Sequence, residues 1–300
     1  MSISRRDMLK LMAASSVALA TPHWAREALA EPRLLAFKGD TESAVRKVIE
    51  AFGGIKRFVS RGDKVVIKPN LGFAQPPIRA SNTNPIVIHT LAKMSLEAGA
   101  KSVQVLDNPV HPRIICALRN GIKDALKDLE GVHVELVSDD PFFADVQIPR
   151  GKVLKRTQVM RAILECDTLF NVPMAKSHGG ALVSFSLKNW MGAVKNRGEW
   201  HNSVDLHQAI ADFATFIKPK FTLLDASRAL VTGGPGGPGE IKNLQTIIGG
   251  FDMVAIDSYA VGLSTWNGKK LAPADVPHIR FAAEMGVGSM NVAGLSVMTA

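Results

Sequence analysis

Four short apolar runs that each stop at a charged or amide residue constrain this chain more than any other feature. DKVVIKPN closes on Lys68, Pro69 and Asn70, and KSVQVLDN on Asp107 and Asn108. ECDTLFNVP leads through Asn171 and Pro173 to Lys176, and FTLLDAS reaches Asp225. Such runs, rich in branched residues and without polar alternation, read as strands covered on both faces. Between them lie helical stretches with recognisable ends. DTESAVRKVIEAFGG starts at Thr41 and Glu42 and stops at two glycines; NPIVIHTLAKMSLEAGA has Asn84 as its cap, Pro85 in its first turn and Gly99 at its end. IICALRNGIKDALKDLEG continues the helical pattern, and VHVELV and QTIIGG add strands. The alternation predicts an α/β fold with a mostly parallel or mixed sheet and helices on both faces.

In such sheets ligands lie beyond the carboxyl ends of the strands, where loops converge and helix N-termini direct partial positive charge. Four strands ending in lysine, asparagine or aspartate predict a shared cleft there. With 46% apolar residues, the chain has material for one large core. No repeat or long linker divides it, and residues 31 to 300 read as a single domain.

Residues 1 to 30 read differently. Arg5 and Arg6 precede a weakly apolar run from Leu9 to Ala20 and an Ala28-Leu29-Ala30 cleavage signature. This resembles a twin-arginine export signal, with Met8 where phenylalanine is commoner, and implies the twin-arginine machinery as partner and a periplasmic or otherwise exported location. The apolar run is too short for a permanent membrane span. That pathway carries folded chains, which is compatible with a cofactor loaded before export.

The formal charge is +9, and removing the first 30 residues, with four basic and two acidic side chains, leaves +7. The excess is spread along the chain without the basic and aromatic interleaving of nucleic-acid binders, so it points to anionic small molecules or anionic lipid headgroups rather than nucleic acid. Cys116 and Cys166 are the only cysteines. Two thiols exclude a cysteine-only iron-sulfur cluster or a zinc ribbon, and leave open whether they form a disulfide.

The densest chemistry is KSHGGALVSFSLKNWMG, residues 176 to 192. Lys176 and Lys188, with Lys68 from a neighbouring strand end, would repel one another unless an anion sat between them, which predicts a carboxylate or phosphate ligand. If LVSFSLKNWMG is helical, Ser184 and Lys188 share a face. His178, before two glycines, is placed to act as acid, base or metal ligand. His201 is positioned to reach back to the cleft, while His207 reads as structural. The glycine-rich TGGPGGPGE matches no phosphate-loop fingerprint and reads as a turn that covers the cleft. Asp257 reads as a helix residue facing the site or capping the turn.

VVIKPNLG, TNP opening a helix that closes in EAGAKSVQVLD, NVPMAKSHGGALVSFSLKNWMGAVKNR, LLDASRALVTGGPGGPG and GGFDMVAIDSYAVGL together resemble the domain-of-unknown-function-362 family over roughly residues 60 to 290. That family has no settled general activity. Many relatives carry ferredoxin-like cysteine clusters, which this chain lacks. A fainter resemblance, to the nickel-pincer lactate racemase family, implies His111 in NPVHPR and His178 as paired acid and base and Lys188 as a cofactor attachment point. It leaves the nickel-ligating histidine open between His201 and His207.

The sequence thus nominates His178, Lys188 and Lys176 as catalytic, and Lys68, Asn70, Asp107, His111, Asn189, His201, Asp225 and Asp257 as ligand-binding. It identifies neither a metal nor an organic cofactor. The function expected is an exported enzyme performing acid/base or redox chemistry on an anionic small molecule. The alternatives are a noncatalytic periplasmic ligand or metal carrier using the same cleft, and a scaffold of an exported complex.

Overall fold

The computed structural model describes residues 34–292 and 297–299; the export signal expected over residues 1–30 lies outside them. The predicted strands assemble into one mixed sheet. Strand β2 (Lys64–Pro69) runs parallel to β3 (Ser102–Asp107), which runs parallel to the edge strand β4 (Val132–Leu136). On its other side β2 pairs in parallel with β7 (Thr168–Val172), and β7 with the start of β10 (Phe221–Leu230). The sheet continues through β11 (Ile241–Gly250), antiparallel to both β10 and β1 (Leu34–Lys38), and β12 (Val297–Thr299) completes it beside β1. A separate hairpin joins β5 (Phe143–Gln147) to β6 (Arg156–Met160).

Alternation along the strands assigns side chains to two cores. Val65 and Ile67 of β2, Val103 and Val105 of β3, Phe170 and Val172 of β7, and Phe221 and Leu223 of β10 meet helices α1 (Thr41–Ala51) and α2 (Pro85–Glu97) on one face. On the other, Val66, Leu169, Leu224 and Ala226 belong to a second core with Trp190 and Trp200. Three helices supply much of that core: α7 (Leu206–Phe216), α8 (Met253–Val261) and α9 (Pro277–Glu284). Because period two puts every second residue on the same side, Lys68 and Asn171 project from the face of Val66 and Leu169 and arrive, fully buried, at the end of the sheet.

Helix α2 begins as its sequence signals: Asn84 accepts from the Ile86 amide at 3.2 Å and Pro85 occupies the first turn. The helical stretch after His111 divides instead into α3 (Arg113–Arg119) and α4 (Ile122–Leu126), because Gly121 adopts φ 72° between them. Beyond β7, Pro173 bends the chain into β8 (Met174–His178), which pairs with the far half of β10 and forms a short hairpin with β9 (Leu182–Ser184). LVSFSLKNWMG is therefore not one helix. It is strand β9 followed by a 3-10 turn over Lys188–Ala193, so Ser184 and Lys188 do not share a helical face. Between β6 and β7 lies the short helix α5 (Arg161–Glu165). Among the described residues no helix is long and apolar enough to cross a membrane.

Candidate functional site

A cavity of about 340 Å³ opens where β2, β3 and β8 end. Seven of the nominated side chains line it: Asn70, Asp107, Lys176, His178, Lys188, Asn189 and His201. Behind its wall, Lys68 is fully buried and forms an ion pair with Asp107 at 2.9 Å. Asp107 uses its second oxygen to accept from the Leu71 amide at 2.6 Å, fixing the chain as it leaves β2. Gly192 closes over the pair: a Cβ there would stand 2.0 Å from Asp107 Oδ1 and 2.8 Å from Lys68 Nζ.

The three lysines have different surroundings. Lys176 Nζ donates to Asn70 Oδ1 at 2.9 Å and to the Ser81 carbonyl, and lies 4.3 Å from the centre of the Phe73 ring. Burial, then the neighbouring Lys188, holds its pKa well below the ordinary lysine value. Lys188 has no carboxylate partner among the described residues, and its hydrogen bond goes to the Met191 sulfur at 3.1 Å. Burial, with the Arg197 charge second, lowers it to about 7. Lys68 is also lowered by burial, opposed by its pairing with Asp107.

His178 ends β8 with its Nδ1 accepting from the amides of Gly180 at 3.1 Å and Ala181 at 3.0 Å. These donors assign the proton to Nε2. Burial and the Lys188 charge lower its pKa to about 2, so the ring stays neutral and offers an N–H donor. The His201 ring lies nearly parallel to it, 5.9 Å centre to centre, at the exposed rim. His207 pairs instead with the buried His278, Nδ1 to Nδ1 at 3.1 Å.

The turn carrying Lys188 is held from both sides. Asp257 on α8 accepts from the amides of Ser186 at 2.8 Å and Leu187 at 2.9 Å, and burial raises its pKa to about 7. Asn189 donates to the Lys68 carbonyl at 3.0 Å and to Asn171 Oδ1 at 2.8 Å, while its own Oδ1 is buried without a hydrogen-bond partner among the described residues. Asp257 thus positions the site from outside the cavity. Asp225 also lies outside: its carboxylate accepts from the Asn84 amide at 2.7 Å and from Ser227, tying β10 to the start of α2. His111 is exposed, accepts from the Ala74 amide and packs edge-on against Phe73.

Arg197, which the sequence reading did not nominate, begins the short helix α6 (Arg197–Asn202) and also lines the cavity. Its guanidinium donates to the carbonyls of Asn108 and Pro109 and to Asn108 Oδ1, so it is fixed by neutral acceptors, and the carboxylate that acts on its charge, Asp107, is the one paired with Lys68. Phe73 and Met191 add apolar wall, and Pro235 of the glycine-rich turn borders the opening, its neighbour Gly234 donating to Ser177 Oγ at 3.0 Å.

Among the described residues no group of three or more His, Cys, Asp or Glu side chains is arranged to hold a metal, and both cysteines are free thiols, Cys116 buried and Cys166 partly so. Of the residues implied for a nickel nucleotide, His178, Lys188 and His201 line the cavity, whereas His111 does not line it and His207 is engaged with His278.

The chain is 26% identical over 259 residues to the thylakoid-associated protein sll1697 of Synechocystis sp., covering 83% of this chain and 76% of that protein. It is also similar, at 14% identity and a TM-score of 0.40, to the lactate racemase apoprotein from Thermoanaerobacterium thermosaccharolyticum, covering 74% of this chain and 55% of the racemase. Residues 65–262 match the family described as Domain of unknown function (DUF362), and the chain belongs to that family.

Proposed function

We propose that the cavity binds a small organic anion and that the protein is an enzyme acting on it. The observation that carries this reading is the charge balance of the wall. Its one carboxylate, Asp107, is paired with Lys68, while Lys176, Lys188 and Arg197 form no ion pair among the described residues, so one carboxylate faces four cations. Cations brought together out of water raise each other's cost of ionisation, and an anion between them removes that cost. A cavity of about 340 Å³ suits a compact carboxylate or phosphate rather than a large ligand.

Catalysis on such an anion would use donors fixed before it arrives. His178 contributes a neutral Nε2–H, Arg197 a guanidinium already oriented by two carbonyls, and Lys188 an amine whose lowered pKa suits proton exchange near neutrality. Charge developing on the bound molecule would meet donors that need no reorganisation. This favours turnover over passive carriage, because a carrier needs the charge but not an amine poised near neutrality.

The pattern of the first 30 residues supports a reading in which the chain is exported through the twin-arginine pathway and acts in the periplasm or another exported compartment. Whether a cofactor accompanies it is tested by mass: native mass spectrometry of the exported protein reports any group beyond the polypeptide. The enzyme reading is tested by screening carboxylates and phosphates for binding and then following the binders for turnover. Lys188→Met is expected to lower kcat by about a hundredfold or more with the fold retained. Binding without conversion of any ligand would favour the carrier instead.

A further inference from the structure

Two buried lysines line the cavity and a third stands behind its wall, and their contacts divide them into two engaged and one available. Lys68 is neutralised by Asp107 and donates to the Pro69 carbonyl. Lys176 is held by Asn70, Ser81 and the face of Phe73. Lys188 lines the cavity and, among the described residues, its amine donates only to a thioether, a weak acceptor that does little to hold it as an ammonium. Its backbone is nonetheless fixed by Asp257 before it and Asn189 after it. A rigidly presented amine without a counterion is an arrangement suited to nucleophilic attack rather than to an ion pair.

We propose that Lys188 forms an imine with the carbonyl carbon of a 2-oxo carboxylate bound in this cavity, an inference that rests on the anion-binding function proposed above. The carboxylate meets Arg197 and the carbonyl oxygen meets the His178 Nε2–H, both of which line the same space. In the first step the Lys188 nitrogen forms a bond to the carbonyl carbon. The C=O π pair moves to oxygen, which takes a proton to give a carbinolamine. In the second step the C–O bond breaks, the hydroxyl leaves as water and the nitrogen lone pair closes the C=N bond. Both hydrogens of the water derive overall from the amine, so no external oxidant or reductant is required. The neutral amine that attack needs is available near neutrality, because burial and Arg197 disfavour its protonation.

The test uses the mature wild-type protein with pyruvate as probe and sodium borohydride to reduce any imine to a stable secondary amine, followed by peptide mapping. The expected result is one reduced pyruvyl adduct per chain, on Lys188, formed at a pyruvate concentration that leaves surface lysines unmodified. Propionate, a carboxylate without the carbonyl, should compete with the labelling and should itself bind in a calorimetric titration. Labelling spread over surface lysines, or confined to Lys176 or Lys68, overturns the proposal. Propionate binding without any adduct overturns the imine while leaving the anion cavity standing. Neither binding nor labelling overturns both. Because the readout is the labelled position in the wild-type chain, it does not depend on a variant that folds.

Discussion

Replacing Asp107 by Asn isolates the interaction on which the back of the site is built. Lys68 is fully buried and its ammonium stands 2.9 Å from Asp107. At an effective dielectric of about 20, charges at this separation attract by about 6 kcal/mol before desolvation is counted. Desolvation removes much of that gain while both partners are present, but deleting one charge leaves the other buried and unmatched, which costs about 3–5 kcal/mol. The Leu71 amide, now bonded to Asp107, competes for the single carbonyl oxygen that asparagine offers. Asp107→Asn should therefore lose about 3–5 kcal/mol in urea unfolding at unchanged m-value. The double variant Lys68→Met, Asp107→Leu should recover most of it, since an apolar pair of similar volume leaves no orphaned charge. A loss below about 1 kcal/mol for the single variant, or a double variant no better than the single, would refute the reasoning.

Gly192→Ala should cost about 1–3 kcal/mol through overpacking, and should also weaken anion binding, because the new Cβ falls where Asp107 Oδ1 now stands. Thermal unfolding and calorimetry of the same variant check both. Lys188 has a folded pKa of about 7 against an unfolded value of 10.5, so the unfolded chain binds more protons between those limits. Stability from this group is therefore complete above pH 10.5 and lost as pH falls toward 7; chemical denaturation across that window should show the slope in wild type and not in Lys188→Met. Asp257 has the opposite sign: its folded pKa of about 7 lies above 3.8, so its contribution is complete below pH 3.8 and lost as pH rises through 7. Asp257→Asn should flatten stability between those values, while an unchanged slope would mean that the carboxylate is ionised throughout.

The strand-end rule found much of the site because β2, β3 and β8 deliver Asn70, Asp107 and Lys176 to one place. It did not separate Asp225 from them. A carboxylate at the end of a strand can face a ligand or tie down a helix start, and the choice depends on the Asn84 amide, which is distant in sequence. Arg197 was missed for the converse reason. It follows no strand end and sits in no periodic pattern, and it reaches the cavity only because the chain returns to the carbonyls of Asn108 and Pro109. The helical reading of LVSFSLKNWMG failed because pairing between β8 and β9 claims its first residues, and Asp257 captures the amides of Ser186 and Leu187 that a helix would have used differently. Likewise, the apolar period after His111 runs through Gly121 unbroken, and only the positive φ of that residue divides the helix.

The most direct test is an isothermal titration of the protein with propionate at about pH 8, repeated in buffers of different ionisation enthalpy. Near that pH an amine with a pKa of about 7 is largely neutral, and an anion placed beside it raises the pKa. Binding should be saturable and one-to-one, should weaken with salt, and should take up protons to an extent that falls in Lys188→Met. Absence of binding, or proton uptake unchanged in that variant, would contradict the claim that these cations form an anion site with Lys188 in it.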